Sequence, residues 1–506
     1  MRQKVISATE AVRRIESGTT IAITGSGGGL LEADAVFAAI EQRFLTTGEP
    51  RDLTLVHAFG IGDRGERGVN RFAHPGMVRR VIGGHWGWSP RMQALARENQ
   101  IEAYSFPSGA ISHLLREIGA GRPGLFTHVG LGTFVDPRMG GGRVSAAARE
   151  ALVELVSIDD REYLRYKPFR VDVGIVRGSR ADTAGNVSLQ DEPADLDAAT
   201  VALAAHNSGG LVIAQVRETV AAGTLEPRAV RIPGVLVDAV VAVPQQMQTY
   251  RTMDEPAFTG RRGTAPAAVQ TQSDPVKRVI VRRAALELKE GAVLNFGYGA
   301  SAMVATLIVE RNHADRYWTT IEQGIHGGRM LDDDLFGIAY NPGVIVDSPS
   351  QFDFYSGGGL DVAFLGMAEM DGEGNVNVSS MNGTINGPGG FIDISQNAKT
   401  VVFCGTFDAK GSQIEVAAGK VRVIRPGSVP KLVRKVSHVT FSGAQARRRK
   451  QRVLYVTERA TFTLAPNGVA LIEVAPGVDV QRDVLDRMGF APVMGEIHTY
   501  PVSVLQ

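Results

Sequence analysis

A single carboxylate, Glu322, stands where a β-branched run gives way to glycine. Trp318-Thr319-Thr320-Ile321 precedes it, Gln323-Gly324 follows, and Gly327-Gly328 comes soon after. A carboxylate at the mouth of a parallel strand, on a loop loosened by glycines, can project into a cleft and be approached closely by a ligand. Two glycine loops could add an anion site: Gly25-Ser26-Gly27-Gly28-Gly29 and Gly297-Tyr298-Gly299-Ala300-Ser301. Each lies between a predicted strand and a predicted helix, where free backbone amides and the helix dipole hold negative charge. The plain alternatives are a solvated loop glutamate and tight strand–helix packing at the glycines. A dinucleotide site is a third reading, because such folds place a ribose-binding acid ~20 residues past the glycine loop. Glu322 follows Gly297 at a comparable distance, so spacing leaves a dehydrogenase open.

Other reactive residue types carry less. Cys404 lies inside the apolar run Val401-Val402-Phe403-Cys404, the setting of a buried structural thiol. The histidines show no paired metal spacing, so no metal site is expected; His85 and His326 lie in glycine-rich loops where a ligand could touch them. Arg447-Arg448-Arg449-Lys450 is a basic run that reads as a solvated face or subunit contact.

The elements that must position these residues come in two similar sets. Apolar β-branched runs end repeatedly in glycine loops followed by helical patterns, which predicts α/β architecture with largely parallel sheets. Near the start, a capping box at Ser7 and Glu10 opens a helix that leads to Gly18 and then to the first glycine loop. After residue 275 a second helix leads to Gly291, a short strand and the Gly297–Ser301 loop. Asp172 precedes Gly185 by the same spacing at which Asp361 precedes Gly374, and an Asn-Val pair follows each glycine. Asn207 and Asn397 then precede matching apolar runs. The chain is therefore expected to be a tandem of structurally similar α/β domains, residues 1–244 and 275–506. They are joined by a linker, residues 245–274, of weak hydrophobic periodicity. Where the second half reads YWTTIEQGIHGG, the approximate counterpart in the first reads DLTLVHAFGIGD, so only the second half puts a carboxylate at that strand end.

Composition narrows the class of partner. Lys and Arg number 54 against 53 Asp and Glu, a balance that argues against nucleic acid or an anionic membrane as a bulk electrostatic partner. No apolar stretch approaches the ~20 residues a membrane helix needs. Residues 1–18 have dispersed charge and no continuous apolar run, so no secretion signal is expected there. One cysteine permits no intrachain disulfide, and a cytoplasmic protein is expected.

Longer motifs resemble a known family, the single-chain family I coenzyme A transferases of the acetate and propionate type. In the first half they are FAHPGMVRRVIGGHWGWSPRM and THVGLGTFVDPRMGGGR; in the second, TTIEQGIHGG, QFDFYSGGGLDVAFLG, GEGNVNVS, GPGGFIDISQNAKTVVFCGTF and VLYVTERATFTL. The resemblance implies that Glu322 is a nucleophile carrying CoA as a glutamyl thioester in a ping-pong exchange between acyl-CoA and short-chain carboxylates. It implies that Gly297, Tyr298, Gly299, Ala300 and Ser301 bind CoA, and that Asn375 contacts the reacting carbonyl. Gly389 and Gly390 would contribute a backbone N–H to the oxyanion site, and Gly130–Asp136 the acyl-sizing wall. No cofactor beyond CoA as substrate, and a homo-oligomer, are implied as well. One departure stands out: Pro107-Ser108-Gly109 replaces the Pro-Gln-Gly that many relatives use for a second oxyanion donor, so Ser108 is left out of the catalytic set. A non-catalytic ligand sensor on the same fold would have little reason to keep these residues together.

Overall fold

The parallel strands form because their residues are β-branched or aromatic and apolar on both faces, as sheets covered by helices on both sides require. All five residues of Leu53–His57 are buried. A computed structural model describes residues 4–261 and 274–506. In the first half, seven parallel strands run in the spatial order Glu102–Ser105, Val78–Gly83, Leu53–His57, Thr20–Ile23, Val173–Asp182, Leu211–Val220 and Ala239–Ala242. Two short antiparallel strands, Val187–Ser188 and Val230–Ile232, complete a nine-stranded sheet. In the second half a ten-stranded sheet has a parallel centre: Trp318–Ile321, Val293–Phe296, Val362–Gly366, Thr400–Cys404 and Arg452–Val456. Antiparallel strands flank it, among them Ala460–Ala465 on one side and Ile325–His326 on the other.

Five strands of each half follow one order, and the repeated landmarks make the same bonds. Asp172 accepts from the Thr20 N–H, and Asp361 from the Val293 N–H, both at 2.9 Å. Asp182 accepts from the Asn186 N–H at 3.0 Å, and Asp371 from the Asn375 N–H at 3.1 Å. Each asparagine then turns its own side-chain oxygen to a distant glycine N–H, Asn186 to Gly234 and Asn375 to Gly443. These carboxylates and amides close turns that would otherwise leave backbone donors unpaired. The Ser7 cap forms, its Oγ accepting from the Glu10 N–H at 3.2 Å. The helix it opens ends at Val12, earlier than the pattern suggests, and Gly18 sits beyond it in a turn at φ +79°.

The halves share apolar packing. One cluster holds Phe59 and Ile111 of the first half with Phe352, Ile392 and Phe403 of the second, and Phe59 stacks on Phe352 at 6.1 Å. Full burial of such a side chain stabilises by roughly 1.5–3 kcal/mol, so the junction is a core rather than a hinge surface. Within the expected linker, residues 262–273 lie outside the described residues; residues 245–261 are packed on both halves. Phe258 is buried against Tyr340, ring centres 5.0 Å apart. The weak periodicity there reflects side chains bonded to backbone: Gln246 Nε2 donates to Gly178 O at 2.8 Å, and Gln248 Nε2 to Asp191 O at 2.8 Å.

Arg177 holds that segment to the first sheet. Almost wholly buried, it pairs with Glu192 at 2.9 Å and donates to the carbonyls of Gly29 (2.9 Å) and Gln248 (3.1 Å). Removing one partner of a buried pair strands the other charge. Arg177→Met is therefore expected to lower the unfolding free energy by ~3–5 kcal/mol, read as a lower urea midpoint.

Candidate active site

Glu322 follows directly on the strand Trp318–Ile321. The parallel registers match Thr54 of the first half to Trp318 of the second, and Ala58 then occupies the position of Glu322. The duplicated plan is broken at that point by the gain of a carboxylate. Glu322 is half-buried, and it faces a strap formed by residues 386–390. A Cβ built at Gly390 would fall 2.0 Å from Oε2 and 3.0 Å from Cδ, so glycine is required there to admit the carboxylate. The Gly390 N–H donates to it.

The strap belongs to the second half but is bonded to the strand ends of the first. Trp86 N–H donates to Asn386 O (2.7 Å), Gly389 N–H to Gly84 O (2.9 Å), and Ser108 N–H to Gly389 O (2.8 Å). Gly387 adopts φ +76°, and a Cβ on it would lie 2.5 Å from Gly84 O. From the helix that follows, Asp393 accepts from the Gly109 N–H at 3.2 Å.

Burial pushes Glu322 up to about 7, with the Gly390 N–H pulling the other way. Asp393, also buried, is raised well above the ordinary carboxylate range by burial and by the neighbouring Glu322. Burial raises Tyr355 too, with Glu322 adding to it. Glu322 thus sits among groups that resist a second negative charge, the condition that makes a carboxylate reactive rather than comfortably solvated.

The two glycine loops have opposite fates. The first is filled: a Cβ at Gly27 would strike the Trp88 ring at 2.1 Å, one at Gly28 the Asp334 carbonyl at 2.1 Å, and one at Gly29 Tyr250 N at 2.7 Å. Close backbone packing accounts for those glycines. The second is open: Tyr298 is 49% exposed, and nothing lies within 4 Å of a Cβ at Gly299. Gly297 and Ser301 close the turn, Ser301 Oγ donating to Gly297 O at 3.0 Å, and Ala300 precedes the helix Ala302–Glu310. Because Val293–Phe296 pairs with Trp318–Ile321, the open loop and Glu322 emerge side by side at the ends of adjacent strands.

Glu322, Gly389, Gly390 and the Gly297–Ser301 loop are brought to one region; Asn375 is fixed in a turn of the second half. Its Nδ2 donates to Asp371 at 3.1 Å and its Oδ1 accepts from Gly443. It lines a cavity of about 310 Å³ with Gly132, Asp136, Glu373 and Arg448, a wall to which neither Glu322 nor the strap contributes. The Gly130–Asp136 segment is tied to the second half, Gly130 N–H donating to Gln396 at 2.9 Å and Phe134 N–H to Val439 O at 2.8 Å. Ser108 Oγ is committed to Ala58 O at 2.7 Å. Cys404 is buried within its strand, its thiol pushed up to about 12. His326 is held between Trp318 and Gln351. Within the basic run, Arg447 donates to Glu373 O and Arg449 to Gln396 O, which makes these two loop fasteners. Sequence reasoning passed over Gly84, Asp393 and the full setting of His85. The only signal was their place inside GGHWGW and GPGGFID.

A half-buried carboxylate beside an open glycine loop, backed by a directed amide and covered by a second domain's strand ends, is a site that can attack an acyl carbon. The comparisons give that chemistry its class: the chain belongs to the coenzyme A transferase family. The family model "Coenzyme A transferase" matches residues 5–243. Acetate CoA-transferase YdiF of Escherichia coli O157:H7 is 42% identical over 495 residues, 97% of this chain and 93% of the relative. Caffeate CoA-transferase of Acetobacterium woodii is 41% identical over 500 residues, covering 97% and 95%. The crystal structure of YdiF as a thioester complex with CoA matches with a TM-score of 0.94 at 41% identity, covering 100% of this chain and 96% of that one. Family membership, not loop spacing, removes the dehydrogenase alternative. Among the described residues no helix is long and apolar enough to cross a membrane.

Two outcomes follow from this geometry. With Glu322 raised to about 7, its carboxylate form is lost as pH falls. kcat/KM should drop roughly tenfold per unit below about 7 and level off above it in a pH–rate profile. Gly390→Ala places a methyl group on Oε2. Since a displacement of about 1 Å can cost on the order of 10²-fold, turnover in a CoA-exchange assay should fall by at least that factor.

Proposed function

We propose that the enzyme exchanges CoA between a short-chain acyl-CoA and a free carboxylate such as acetate, through a thioester on Glu322. The observation that carries this reading is the break in the repeat. Glu322 is the carboxylate gained at a duplicated strand end, and it alone meets the Gly390 amide beside the open loop. One Glu322 oxygen attacks the thioester carbonyl of acyl-CoA; a C–O bond forms, the C–S bond breaks, and CoA leaves as thiolate. The thiolate attacks Glu322 Cδ, releasing the first acid as its carboxylate and leaving glutamyl-CoA. A second carboxylate attacks the same carbon and runs the sequence backwards. The overall exchange trades one CoA thioester for another of similar energy, so no ATP is needed.

In this reading the Gly390 N–H serves the oxyanion on Cδ, while the Gly389 N–H is held by Gly84 O and fixes the strap. CoA would run from Glu322 along Gly297–Ser301 toward the N-terminus of the helix Ala302–Glu310, where phosphate is favoured. The Asn375 turn is held through Asp371 and Gly443, and the family resemblance supports contact between its side chain and the reacting carbonyl. Residues 1–244 and 275–506 would act as two domains that enclose, at their packed junction, the intermediate that water would otherwise hydrolyse. A cytoplasmic homo-oligomer is the assembly that the family resemblance supports. YdiF is named for acetate and the Acetobacterium relative for caffeate at nearly equal identity, so the acid pair is set by assay across donors and acceptors.

The test is Glu322→Gln together with trapping in the wild type. Acetyl-CoA without acceptor should leave CoA on the peptide containing Glu322, and initial rates should give parallel double-reciprocal lines. The Gln variant keeps the side chain's shape without the anionic nucleophile, so transfer should fall by several orders of magnitude, roughly the ~10⁶ lost when a covalent nucleophile is removed. CoA affinity should persist. Wild-type transfer by this variant, or an unmodified Glu322 peptide during normal turnover, would overturn the reading.

A further inference from the structure

His85 lies in the first-half loop that carries the strap, and its ring is housed with unusual care. A Cβ at Gly389 would stand 3.9 Å from His85 Cδ2 and also 3.9 Å from Glu322 Oε1. Ring and nucleophile therefore face one glycine from opposite halves of the chain, and their separation cannot exceed twice that distance. Other glycines make room on the remaining sides. A Cβ at Gly60 would fall 2.7 Å from Nδ1, one at Gly87 2.8 Å from Cε1, and one at Gly387 3.0 Å from the His85 Cα. The Gly87 N–H donates to Nδ1 at 3.3 Å. A ring nitrogen that accepts carries no hydrogen in neutral imidazole, so the hydrogen is on Nε2. Among the described residues nothing accepts from Nε2. Burial, with His57 and Arg64 nearby, lowers His85 to about 4, which keeps the ring neutral at working pH.

The site is short of a donor on this side. Ser108, where many relatives have glutamine, gives its hydroxyl to Ala58 O and its N–H to Gly389 O, and the Gly389 N–H goes to Gly84 O. The Gly390 N–H is turned to the carboxylate of Glu322 itself. We propose that His85 Nε2–H is the first-half hydrogen-bond donor to the carbonyl oxygen of the acyl group under attack. This rests on the reading of Glu322 as the nucleophile. In the step concerned, a Glu322 oxygen bonds to the acyl carbon, the carbonyl π pair moves onto its oxygen, and collapse expels CoA thiolate with the C–S pair. His85 donates throughout and keeps its proton, as a neutral imidazole acting as electrophile does. The two donors divide the work: Gly390 for the oxyanion on Glu322, His85 for the oxyanion on the substrate.

The experiment compares wild type, His85→Ala and His85→Gln in the full-length enzyme. It reads single-turnover formation of the Glu322–CoA adduct from acetyl-CoA by intact mass, with steady-state kcat and KM. His85→Ala should slow adduct formation and kcat by ~10²–10³, the loss typical of one oxyanion donor, with KM for acetyl-CoA little changed. His85→Gln, which can return an N–H, should recover a large part of that loss. Should the Ala variant not fold, His85→Leu fills the ring's space without a donor and takes its place. Adduct formation at the wild-type rate in the donor-free variant overturns the proposal. So does an effect confined to KM, or a Gln variant no better than the donor-free one at equal thermal stability. Absence of any adduct in the wild type would instead remove the Glu322 reading, so the two failures are distinct.

Discussion

The backbone bonds of the strap at residues 386–390 are the constraint on which the site depends. Three of them, from Trp86, Gly389 and Ser108, fasten a second-half segment across the strand ends of the first half. Backbone pairs have fixed geometry and no rotamers to order, so they locate Gly390 more firmly than side-chain contacts would. Everything nearby follows from that location. Glycine is needed at 390 because a carboxylate fills the space, and at 387 because the partner loop's carbonyl does. The stacked pair Phe59 and Phe352 and the Asp393–Gly109 bond hold the same junction from below.

Duplication supplies the frame, and departures from it supply the chemistry. Paired aspartates and asparagines close equivalent turns in each half, so both sheets present strand ends in the same order. At the matched position one half has Ala58, whose carbonyl serves as an anchor for Ser108, and the other has Glu322. The matched glycine loops diverge in the same sense. One is filled by Trp88, Tyr250 and the Asp334 backbone, while the other stays open beside the carboxylate. A symmetric pair would offer two shallow anion sites. The asymmetric pair leaves one half free to hold a ligand and the other to cover it.

Electrostatics at the junction are set by burial more than by countercharge. Desolvation is the leading influence on Glu322, Asp393, Tyr355 and His85 alike. No cation is among the influences that shift Glu322, whereas the fully buried Arg459 is matched by Asp408 and Glu458. An arginine beside Glu322 would stabilise the carboxylate and offset its desolvation. A directed amide orients the group without neutralising it.

The sequence by itself determined the class of fold and the tandem plan, and it singled out Glu322 as the residue to which the family resemblance gives the nucleophile's part. Strand periodicity, glycine punctuation and repeated Asp–Asn spacings are local signals, and Glu322 is visible as the carboxylate that one repeat has and the other lacks. Tertiary structure alone decided which glycine loop is open and which is packed. Gly27 and Gly299 look alike in sequence, yet one lies under Trp88 and the other faces open space. It showed that Asn375 belongs to a turn closed by Asp371. It gave the apparent linker at 245–261 a packed place through Arg177, Gln246 and Phe258, whose partners lie far off in the chain. And it brought His85 to Gly389, a meeting that no local pattern encodes, because it depends on two loops from different halves being pressed together by bonds between their backbones.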